Sequence, residues 1–364
     1  MTDRPTPSDI PETIDALRGA IDHTDEQLVA LISQRAELAK RIGALKDASD
    51  NVAFVPARER AVLNHVQSVN RGPLPHDAIR SVFQQIIAAS RNLEQPVSVA
   101  YLGPEYTFTH FAALQRFGVT SILVPADSIS EVIDLVEHGK VHYGVAPIEN
   151  STEGVVRETL DALYRSTVSI ADELNVPIRH ALWGSGTLDQ VTIVYSKAEA
   201  LPQCRNWLSR HLPRVQLQPT SSTAKAAEIV TGHPEAAAIC PALAAERYSL
   251  NLLADRIEDS PYNRTRFCVV GLAMSQPSGR DKTSIVFSVK HHSGSLNNAL
   301  NVLEAHGINM TLIESRPTKE MPWQYLFYVD FQGHINEPRV TAALEELNGH
   351  CLFLRVFGSY PEAS

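Results

Sequence analysis

The chain has 364 residues, of which 44% are hydrophobic, and this length can hold two or three domains with ordinary cores. Its formal net charge of −9 disfavours a nucleic acid or an anionic membrane as partner, so any anion site must be a local cluster of arginines. The longest apolar runs fall short of a membrane span, and the first residues, MTDRPTPSDIPET, lack the apolar stretch of a signal peptide. The four scattered cysteines show no metal-ligand spacing and predict reduced thiols in a cytoplasmic protein.

Residues 13–94 have the pattern of an all-helical segment. From residue 14 to residue 46 there is no proline, and apolar residues recur with a near-heptad spacing. This pattern predicts one helix about 50 Å long, which we expect to pair with another long helix of the same or a second chain. Two further helices are expected near residues 57–69 and 76–94, and EQP at 94–96 ends the last of them.

Residues 97–275 alternate short apolar strands with helical patterns, which predicts an α/β fold. The predicted strands include 97–102, 141–146, 191–195, 236–239 and 267–270. Residues 283–356 follow the order strand, helix, strand, strand, helix, strand, which is the α+β ferredoxin-like (βαββαβ) arrangement. With SQPSGRD (275–281) as a linker, the expected domains are 1–95, 96–276 and 282–364.

Arg35 lies at a heptad position that is otherwise apolar. A buried arginine is costly unless it meets an anion, and an internal salt bridge explains the position equally well. Lys46, eleven residues later, shares the face of Arg35 to within roughly 20°. Arg18 lies roughly 100° round the helix from Arg35, so it fits the equivalent pocket of a partner chain better than the pocket of its own chain.

The segment that carries these residues, ALRGAIDHTDEQLVALISQRAELAKRIGALK with VPARERAVL and FQQIIAASRNLE, resembles the all-helical chorismate mutases. The resemblance implies a site that rearranges the dicarboxylate chorismate to prephenate by holding a compact conformer and stabilising charge on the ether oxygen. Arginines clamp the carboxylates in such a site, and Arg35, Lys46 and Glu94 are its expected catalytic residues. The implied site consists of Arg18 from the partner chain, Arg35, Lys46, Arg58, Glu59, Ser90 and Glu94.

Two positions depart from the chorismate mutase pattern. Val55 stands where some members have an aspartate, which removes one expected contact to the substrate hydroxyl. Glu94 stands where many members have a glutamine, whose amide donates a hydrogen bond to the ether oxygen. An ionised glutamate would repel that oxygen. We therefore expect Glu94 to act in its protonated form, through burial or a lowered pH optimum.

Four hydroxyl- or amide-rich loops lie at the ends of predicted strands or the starts of helices. They are YLGPEYTFTHFAAL (101–114), GVAPIENSTEGVV (144–156), TSSTAKAA (220–227) and NRTRFCVVG (263–271). Each alone is explained by a helix cap or a polar loop. Together they predict one ligand cleft, because α/β sheets bind ligands at the ends of their strands.

The four loops resemble prephenate dehydratase over most of residues 97–275. The resemblance implies two α/β lobes like those of type II periplasmic binding proteins, and loss of CO2 and hydroxide from prephenate without a metal or organic cofactor. Thr265 is then the group that assists hydroxide departure, and Arg266 either binds a carboxylate or forms a structural ion pair. Tyr106 departs from the small residue common in the family. The implied cleft is lined by Thr107, Asn150, Ser151, Ser221, Ser222, Thr223, Thr265, Arg266 and Phe267.

SGSLNNAL (293–300) and INMTLIESRPTKEMPWQYLFYVDF (308–331) resemble the regulatory ACT domain. The resemblance implies that L-phenylalanine binds between two ACT domains of a homodimer or higher homo-oligomer and favours a low-activity state. The turn at residues 294–296 departs slightly from the usual glycine-alanine-leucine pattern. The implied effector site contains Gly294, Ser295, Leu296, Glu314, Ser315, Arg316 and Pro317.

Three alternative functions differ from the bifunctional enzyme that these resemblances imply. A prephenate dehydrogenase needs a G-x-G-x-x-G turn, and GSGTLDQ (184–190) lacks the third glycine, so this function is rejected. A binding or sensor protein without catalysis stays open, as does a helical segment that serves only for dimerisation. Turnover of prephenate and of chorismate distinguishes these alternatives from the bifunctional enzyme.

Overall fold

The computed structural model describes residues 13–45, 54–318 and 324–363, so Lys46 lies outside the described residues. The N-terminal segment is helical, as predicted. A proline at the first position begins the second helix, and Pro75 directly precedes the third. The helices are α1 (Ile14–Leu45), α2 (Pro56–Val69) and α3 (His76–Glu94).

The long helix α1 has no buried residue within the single chain, although its sequence carries an apolar stripe. Ile14 and Leu45, at its two ends, are 70% and 84% exposed, and Ile21 and Leu38 between them are exposed as well. Covering an exposed aliphatic side chain is favourable by about 1.5–3 kcal/mol. The stripe of α1 is therefore an apolar face that this chain alone leaves uncovered.

Residues 98–271 form two α/β lobes, each with its own mixed sheet. The strands are β1 (Ser98–Leu102), β2 (Ile122–Ala126), β3 (Tyr143–Asn150), β4 (Gly154–Val155), β5 (Ser169–Pro177), β6 (Ala181–Gly184), β7 (Ile193–Lys197), β8 (Gln216–Thr220), β9 (Ala236–Cys240), β10 (Asn251–Ala254) and β11 (Arg264–Gly271). The helices are α4 (Phe108–Phe117), α5 (Ile129–Glu137), α6 (Arg157–Arg165), α7 (Arg205–His211), α8 (Thr223–Ile229) and α9 (Ala242–Arg247). The first sheet has the order β2-β1-β3-β11-β5, with β4 beside β3, and the second has the order β10-β6-β9-β7-β8.

The chain passes twice between the two lobes. It leaves the first lobe after β5 and returns at β11, which lies antiparallel between β3 and β5. The connecting segments are residues 178–180 and 255–263. Because β11 begins directly after the second connection, its first residues, including Thr265, lie where the lobes meet. The junction of two α/β lobes is a common place for a ligand site.

Residues 281–361 form a third, antiparallel sheet with two helices. Its elements are β12 (Asp281–Val289), α10 (Ser295–Ala305), β13 (Met310–Pro317), β14 (Tyr325–Gln332), α11 (Pro338–His350) and β15 (Cys351–Pro361). The strand order β13-β14-β12-β15 is that of the predicted ferredoxin-like fold. β15 packs closely on β5, because a Cβ at Gly358 would overlap the backbone carbonyl of Ile170. Only a glycine allows this approach of the third sheet to the first lobe.

Candidate active sites and effector site

Thr265 is held by a side chain from the neighbouring strand. It stands second in β11, directly opposite Asn150, the last residue of β3, and it is 9% exposed. The Nδ2 atom of Asn150 donates a hydrogen bond to Thr265 Oγ1 at 2.9 Å. With an N–H group on its oxygen, the threonine hydroxyl is left to donate its own proton to another acceptor.

The orientation of the Asn150 amide follows from its other bonds. Its Oδ1 accepts from the backbone N–H groups of Thr152 at 2.9 Å and Glu153 at 3.1 Å, and from Thr152 Oγ1 at 2.6 Å. Backbone N–H groups can only donate, so the oxygen faces them and Nδ2 faces the threonine. The loop that follows β3 therefore fixes the hydroxyl of Thr265 in one hydrogen-bonding role.

The series of hydrogen bonds continues from Asn150 through Asn263 and Gln203 to His180. Asn150 Nδ2 also donates to Asn263 Oδ1 at 3.0 Å, and Asn263 Nδ2 donates to Gln203 Oε1 at 2.8 Å. Gln203 Nε2 donates to Glu153 Oε1 at 3.2 Å, which fixes the amide of Gln203. His180 must then donate from Nε2 to Gln203 Oε1, 2.8 Å away, and Nδ1 is its acceptor nitrogen.

His180, at the end of this series of hydrogen bonds, is neutral and buried. Burial lowers its pKa, while the bond to Gln203 and the charge of Glu258 act in the opposite direction. The residue is 2% exposed, and Nδ1 has no partner among the described residues. Asn263 opens the NRTRF motif and was signalled by that position, whereas Gln203 and His180 lie in segments without any motif.

The other predicted cleft residues make local contacts at the starts of helices and loops. Thr107 Oγ1 caps α4 by accepting from His110 N at 3.3 Å, and Ser222 Oγ caps α8 by accepting from Lys225 N at 3.0 Å. Ser221, exposed, and Ser222 line a cavity of about 760 Å³ together with Tyr106. Thr107 caps α4 where the sequence predicts a cap at Thr109, and Ser222 caps α8 as predicted.

Ser151 and Thr223 differ in their surroundings. Ser151 binds the connection that leads into β11, because its backbone N–H donates to Arg264 O at 2.9 Å and its Oγ accepts from Arg264 N at 3.0 Å. Thr223 begins α8 and is buried. The structure thus brings Asn150, Ser151 and Thr265 together and places residues 221–223 in the second lobe.

Arg266 and Phe267, which are both predicted to line the cleft, are buried. The guanidinium of Arg266 forms ion pairs with Asp330 at 2.6 Å and with Glu173 and Glu149 at 3.1 Å each. Burial opposes its charge, but these carboxylates outweigh burial and raise the pKa of Arg266. Phe267 is 1% exposed inside the core of the first lobe. The structure shows the ion pairs of Arg266, and its binding of a substrate carboxylate stays a prediction.

The alternation of a strand explains this outcome. Successive side chains of β11 point to opposite faces, so the arginines on either side of Thr265 point away from its hydroxyl. Arg266 instead reaches β14 of the third domain through Asp330, whose Oδ1 also accepts from Ser284 Oγ at 2.5 Å. Lys282 joins the same buried network through Glu173 at 2.9 Å. The third domain is thus bonded to the residue that follows the candidate catalytic threonine.

The helical segment brings Arg35, Ser90 and Glu94 together. Arg35 Nη1 donates to Ser90 Oγ at 2.7 Å, and that hydroxyl donates to Ile86 O at 2.7 Å. Glu94 packs against α1, where a Cβ at Gly43 would lie 3.1 Å from the Cβ of Glu94. Burial lowers the pKa of Arg35, and the negative charges of Glu59 and Glu94 act in the opposite direction. The guanidinium is half-buried between α1 and α3.

Glu59, which is predicted to contact chorismate, takes part in a network of ion pairs. Its Oε1 accepts from Arg91 Nη1 at 2.5 Å, and its Oε2 accepts from Arg116 Nη1 at 2.6 Å. Arg116 lies on α4, so both oxygens are used in a buried ion-pair network that joins the helical segment to the first lobe. Each oxygen keeps a second lone pair, so contact of Glu59 with chorismate stays a prediction. Arg58 and Arg18 are exposed, and Arg18 lies 3.8 Å from Asp15 of its own helix.

The residues predicted to bind an effector lie in two places on the third domain. Gly294 has a positive φ of 83° directly before α10, a conformation that favours glycine, and Ser295 Oγ lies 2.7 Å from His292 Nδ1. Leu296 is partly buried in the core of the domain. Residues 314–317 form the end of the edge strand β13. Within the ESRP motif, Arg316 contacts α6 of the first lobe, donating to Arg157 O at 3.0 Å.

These features define a class of protein, namely a multidomain enzyme with an appended regulatory domain. A helical segment carries a half-buried arginine. A two-lobed unit holds a threonine hydroxyl at the junction of its lobes, and a ferredoxin-like domain is bonded to this two-lobed unit. Family models described as chorismate mutase type II, prephenate dehydratase and ACT domain match residues 17–95, 99–275 and 283–349.

Relatives that share this organisation are similar over nearly the whole chain. The bifunctional chorismate mutase/prephenate dehydratase of Aquifex aeolicus is 45% identical over 357 residues, covering 97% of this chain and 99% of that protein. The protein of the same name from Pseudomonas aeruginosa is 41% identical over 359 residues, covering 97% and 98%. The chain belongs to the family of bifunctional chorismate mutase/prephenate dehydratases.

Solved structures are similar over the α/β and ferredoxin-like folds. Prephenate dehydratase from Arthrobacter aurescens, in complex with L-Phe, has a TM-score of 0.68 and 35% identity, covering 73% of this chain and 90% of its own. The prephenate dehydratase of Staphylococcus aureus has a TM-score of 0.65 and 28% identity, covering 72% and 99%.

Proposed function

We propose that this chain rearranges chorismate to prephenate in its helical segment and converts prephenate to phenylpyruvate in its two-lobed unit, under inhibition by L-phenylalanine. The observation that supports the dehydratase activity most directly is the hydrogen bond from Asn150 to Thr265 at the junction of the lobes. The proposed units are residues 1–95 for the mutase, 96–276 for the dehydratase and 282–364 for the regulatory domain.

The dehydratase step uses Thr265 as a hydrogen-bond donor. The bond between the ring and its carboxylate breaks and releases CO2, and the electron pair enters the ring. The bond between the opposite ring carbon and its hydroxyl breaks, and the leaving hydroxide takes a proton from solvent to become water. A threonine hydroxyl is too weak an acid to be a proton source at neutral pH, so its contribution is a hydrogen bond to the departing oxygen. Asn150 keeps the threonine proton pointed toward that oxygen.

The mutase step needs no group that forms a covalent bond. Arg35, held by Ser90 at 2.7 Å, binds one carboxylate of chorismate, and the partner's Arg18 binds the other. Lys46 and protonated Glu94 donate to the ether oxygen as the carbon–oxygen bond breaks. Arg58 supplies a further positive charge from α2, on its exposed face. The site thus acts by holding one conformer and stabilising the developing negative charge.

Inhibition by L-phenylalanine requires a connection between the regulatory domain and Thr265. The proposed connection is the ion pair of Arg266 with Asp330, which joins β11 to β14 at 2.6 Å. A shift of β14 on effector binding moves Arg266 and, through the backbone, the adjacent threonine. The effector lies near residues 294–296 and 314–317, and its binding favours the state in which the threonine is misplaced.

The oligomer and the location in the cell are part of the same proposal. A homodimer or higher homo-oligomer covers the exposed stripe of α1 and supplies Arg18 across the interface. A cytoplasmic location is supported by the cysteines at 204, 240, 268 and 351, which are all free thiols. None of the helices in the described ranges has the length and hydropathy needed to cross a bilayer.

The deciding experiment gives the purified full chain prephenate, with and without L-phenylalanine, and follows the formation of phenylpyruvate. Turnover that phenylalanine suppresses is the expected result. Turnover without suppression would keep the dehydratase and remove the regulatory part of the proposal. Binding of prephenate without any turnover would favour a sensor protein. Conversion of chorismate to prephenate by the same preparation tests the mutase separately.

A further inference from the structure

A cavity of about 720 Å³ lies at the meeting point of the helical segment, the start of β11 and the linker before β12. We call it the arginine cavity. It is separate from both proposed reaction sites, because neither Thr265 nor Arg35 lines it. Its charged lining residues are Arg60, Asp77, Arg80, Arg264, Arg280 and Glu362.

The arginines of the cavity are incompletely neutralised. Arg280 Nε lies 2.8 Å from Glu362 Oε2, so these two charges cancel. Arg60 Nη1 donates to the backbone carbonyl of Glu362, which carries no charge. The side chains of Arg80 and Arg264 form neither a hydrogen bond nor an ion pair with any other residue of the described ranges. Such a cluster stands out in a chain whose formal net charge is −9.

The electrostatics of Arg60 and Arg80 agree with this description. Burial, the largest cause, lowers the pKa of both side chains, and repulsion from Arg116 lowers both further. Arg80 also repels Arg60 directly, while Asp77 and Asp172 act in the opposite direction. Half-buried cations that repel each other are stabilised by an anion placed between them.

We infer that the arginine cavity binds a small dianion of the phosphate or dicarboxylate type. After the Arg280–Glu362 pair is set aside, the guanidinium groups of Arg60, Arg80 and Arg264 face the single carboxylate of Asp77. The lining therefore carries two more positive than negative charges, while Asp172 and Asp281, which also attract Arg60, lie outside the lining. Guanidinium groups bind phosphate and carboxylate oxygens through paired N–H donors, which suits both kinds of ligand.

Arg264 gives the cavity a position next to the dehydratase site. It directly precedes Thr265 in β11, and strand alternation directs its side chain to the face opposite the hydroxyl. Its backbone N–H donates to Ser151 Oγ at 3.0 Å. An ion in the arginine cavity therefore contacts the strand that carries the threonine without entering the cleft.

The test measures the thermal midpoint of the full chain in sodium phosphate, in sodium malonate and in sodium chloride at equal ionic strength. Ligand binding to the folded state raises the midpoint in a saturable way, whereas general screening acts equally in all three salts. We expect phosphate, malonate or both to raise the midpoint beyond chloride. Phosphate alone identifies a phosphate-type ligand, and both together identify a general dianion site.

Variants assign the effect to the cavity. Arg80→Gln and Arg264→Gln should each weaken the apparent Kd of the active salt about tenfold, because each removes a charge-assisted bond. Arg210→Gln, a change at an exposed arginine on α7 outside the cavity, should leave the Kd unchanged. In chloride, Arg80→Gln should not lower the midpoint, since it relieves repulsion.

Two results would overturn the inference. One is a midpoint in phosphate and malonate no higher than in chloride. The other is a salt effect that Arg80→Gln and Arg264→Gln both leave intact, since binding would then lie elsewhere. If Arg80→Gln does not fold, the exposed Arg264 variant still decides the question. Hydrogen exchange gives the location, because bound phosphate should slow exchange in α2 and at residues 278–281 together.

Discussion

The dehydratase site and the mutase site are held in different ways. At the junction of the lobes, the hydroxyl of Thr265 is fixed by Asn150, and Asn150 is fixed in turn by the loop that follows its strand. In the helical segment, Arg35 donates a hydrogen bond to Ser90, and the helix that carries Arg35 has no buried residue. One site is assembled by its own chain, whereas the other lies on a helix with an uncovered apolar face.

This difference shows what each kind of element can do. A mixed sheet brings distant parts of one chain into register, so residues 150 and 265 meet without help from a second molecule. A long helix places Arg18 and Arg35 on different faces about 26 Å apart along its axis, at about 1.5 Å per residue. A compact substrate cannot bridge that distance, so we expect the two arginines to serve different pockets. The predictions below test this contrast.

The largest expected effect is at the threonine. Thr265→Ala removes the only proposed donor to the leaving hydroxyl, so kcat for prephenate should fall about 10²- to 10³-fold. Mutase activity of the same variant should be unchanged, because Thr265 belongs to the two-lobed unit and not to the helical segment. Thr265→Ser keeps the hydroxyl and should retain most activity. An alanine variant that keeps most of its dehydratase turnover would refute the catalytic role.

The arginines of α1 test the dependence on a second chain. Arg18→Ala and Arg35→Ala should each lower mutase activity about 10²-fold, since each removes a clamp on a buried carboxylate. When the two inactive variants are mixed after dissociation, a heterodimer holds one intact site out of two. Mutase activity should then recover to about a quarter of wild type for random pairing.

The control for this mixing experiment uses a double variant, Arg18→Ala with Arg35→Ala in one chain, mixed with wild type. Such heterodimers have no intact pair of arginines in either site if Arg18 acts across chains. If the arginines act within one chain, the wild-type half of each heterodimer stays active. No recovery on mixing the single variants would place both arginines in the same pocket.

The orientation of Thr265 is tested by Asn150→Asp. A carboxylate has no N–H group, so it would accept the threonine proton instead of donating to Thr265 Oγ1. We expect kcat for prephenate to fall roughly tenfold or more with little change in KM, because binding groups elsewhere are untouched. Asn150→Ala, which leaves the hydroxyl free to rotate, should be less impaired than Asn150→Asp. The reverse ranking would contradict the orienting role.

A smaller effect is expected for the link between domains. Asp330→Asn weakens the bond to Arg266, so the phenylalanine concentration for half-inhibition should rise about tenfold while uninhibited turnover changes little. Arg355→Gln is the matched control, because Arg355 joins the same two domains by donating to the carbonyl oxygens of Leu163 and Tyr164 and belongs neither to β11 nor to the predicted effector site. Equal losses of sensitivity in both variants would assign the effect to domain contact in general.

The smallest expected effect concerns Glu94. If only the protonated carboxyl assists the ether oxygen, Glu94→Gln should raise mutase activity severalfold at alkaline pH and flatten the pH profile. The profile is measured with chorismate in one buffer series for both proteins. Activity of the variant that does not rise above wild type at high pH would reject the idea. Dehydratase turnover serves as the internal reference for intact folding.

Much of the fold follows from local patterns in the sequence. The third helix begins and ends at the predicted residues, since a proline precedes it and another follows it. The strands predicted at 97–102, 141–146, 191–195, 236–239 and 267–270 all overlap observed strands of the two lobes. These are short apolar runs whose burial depends little on distant parts of the chain. The βαββαβ order was equally visible in the turns between its elements.

The site was less predictable than the fold. The importance of Thr265 and Asn150 came from motifs, but the partners of Arg266 depend on a carboxylate 64 residues away in another domain. Gln203 and His180 belong to the series of hydrogen bonds only because the polypeptide crosses between the lobes. The ion pair between Glu59 and Arg116 also arises from packing between domains. Sequence patterns describe an element, and these contacts join elements that are far apart in sequence.

The double crossing between the lobes has a consequence for synthesis on the ribosome. β3 and β5 are made early, but the strand that separates them, β11, begins 87 residues after the end of β5. At a synthesis rate of about 5–20 residues per second, their facing edges wait several seconds for that strand. During this interval the nascent chain presents unpaired strand edges of the kind that favour aggregation. The whole second lobe is synthesised as an insert before the strand that carries the threonine can complete the sheet of the first lobe.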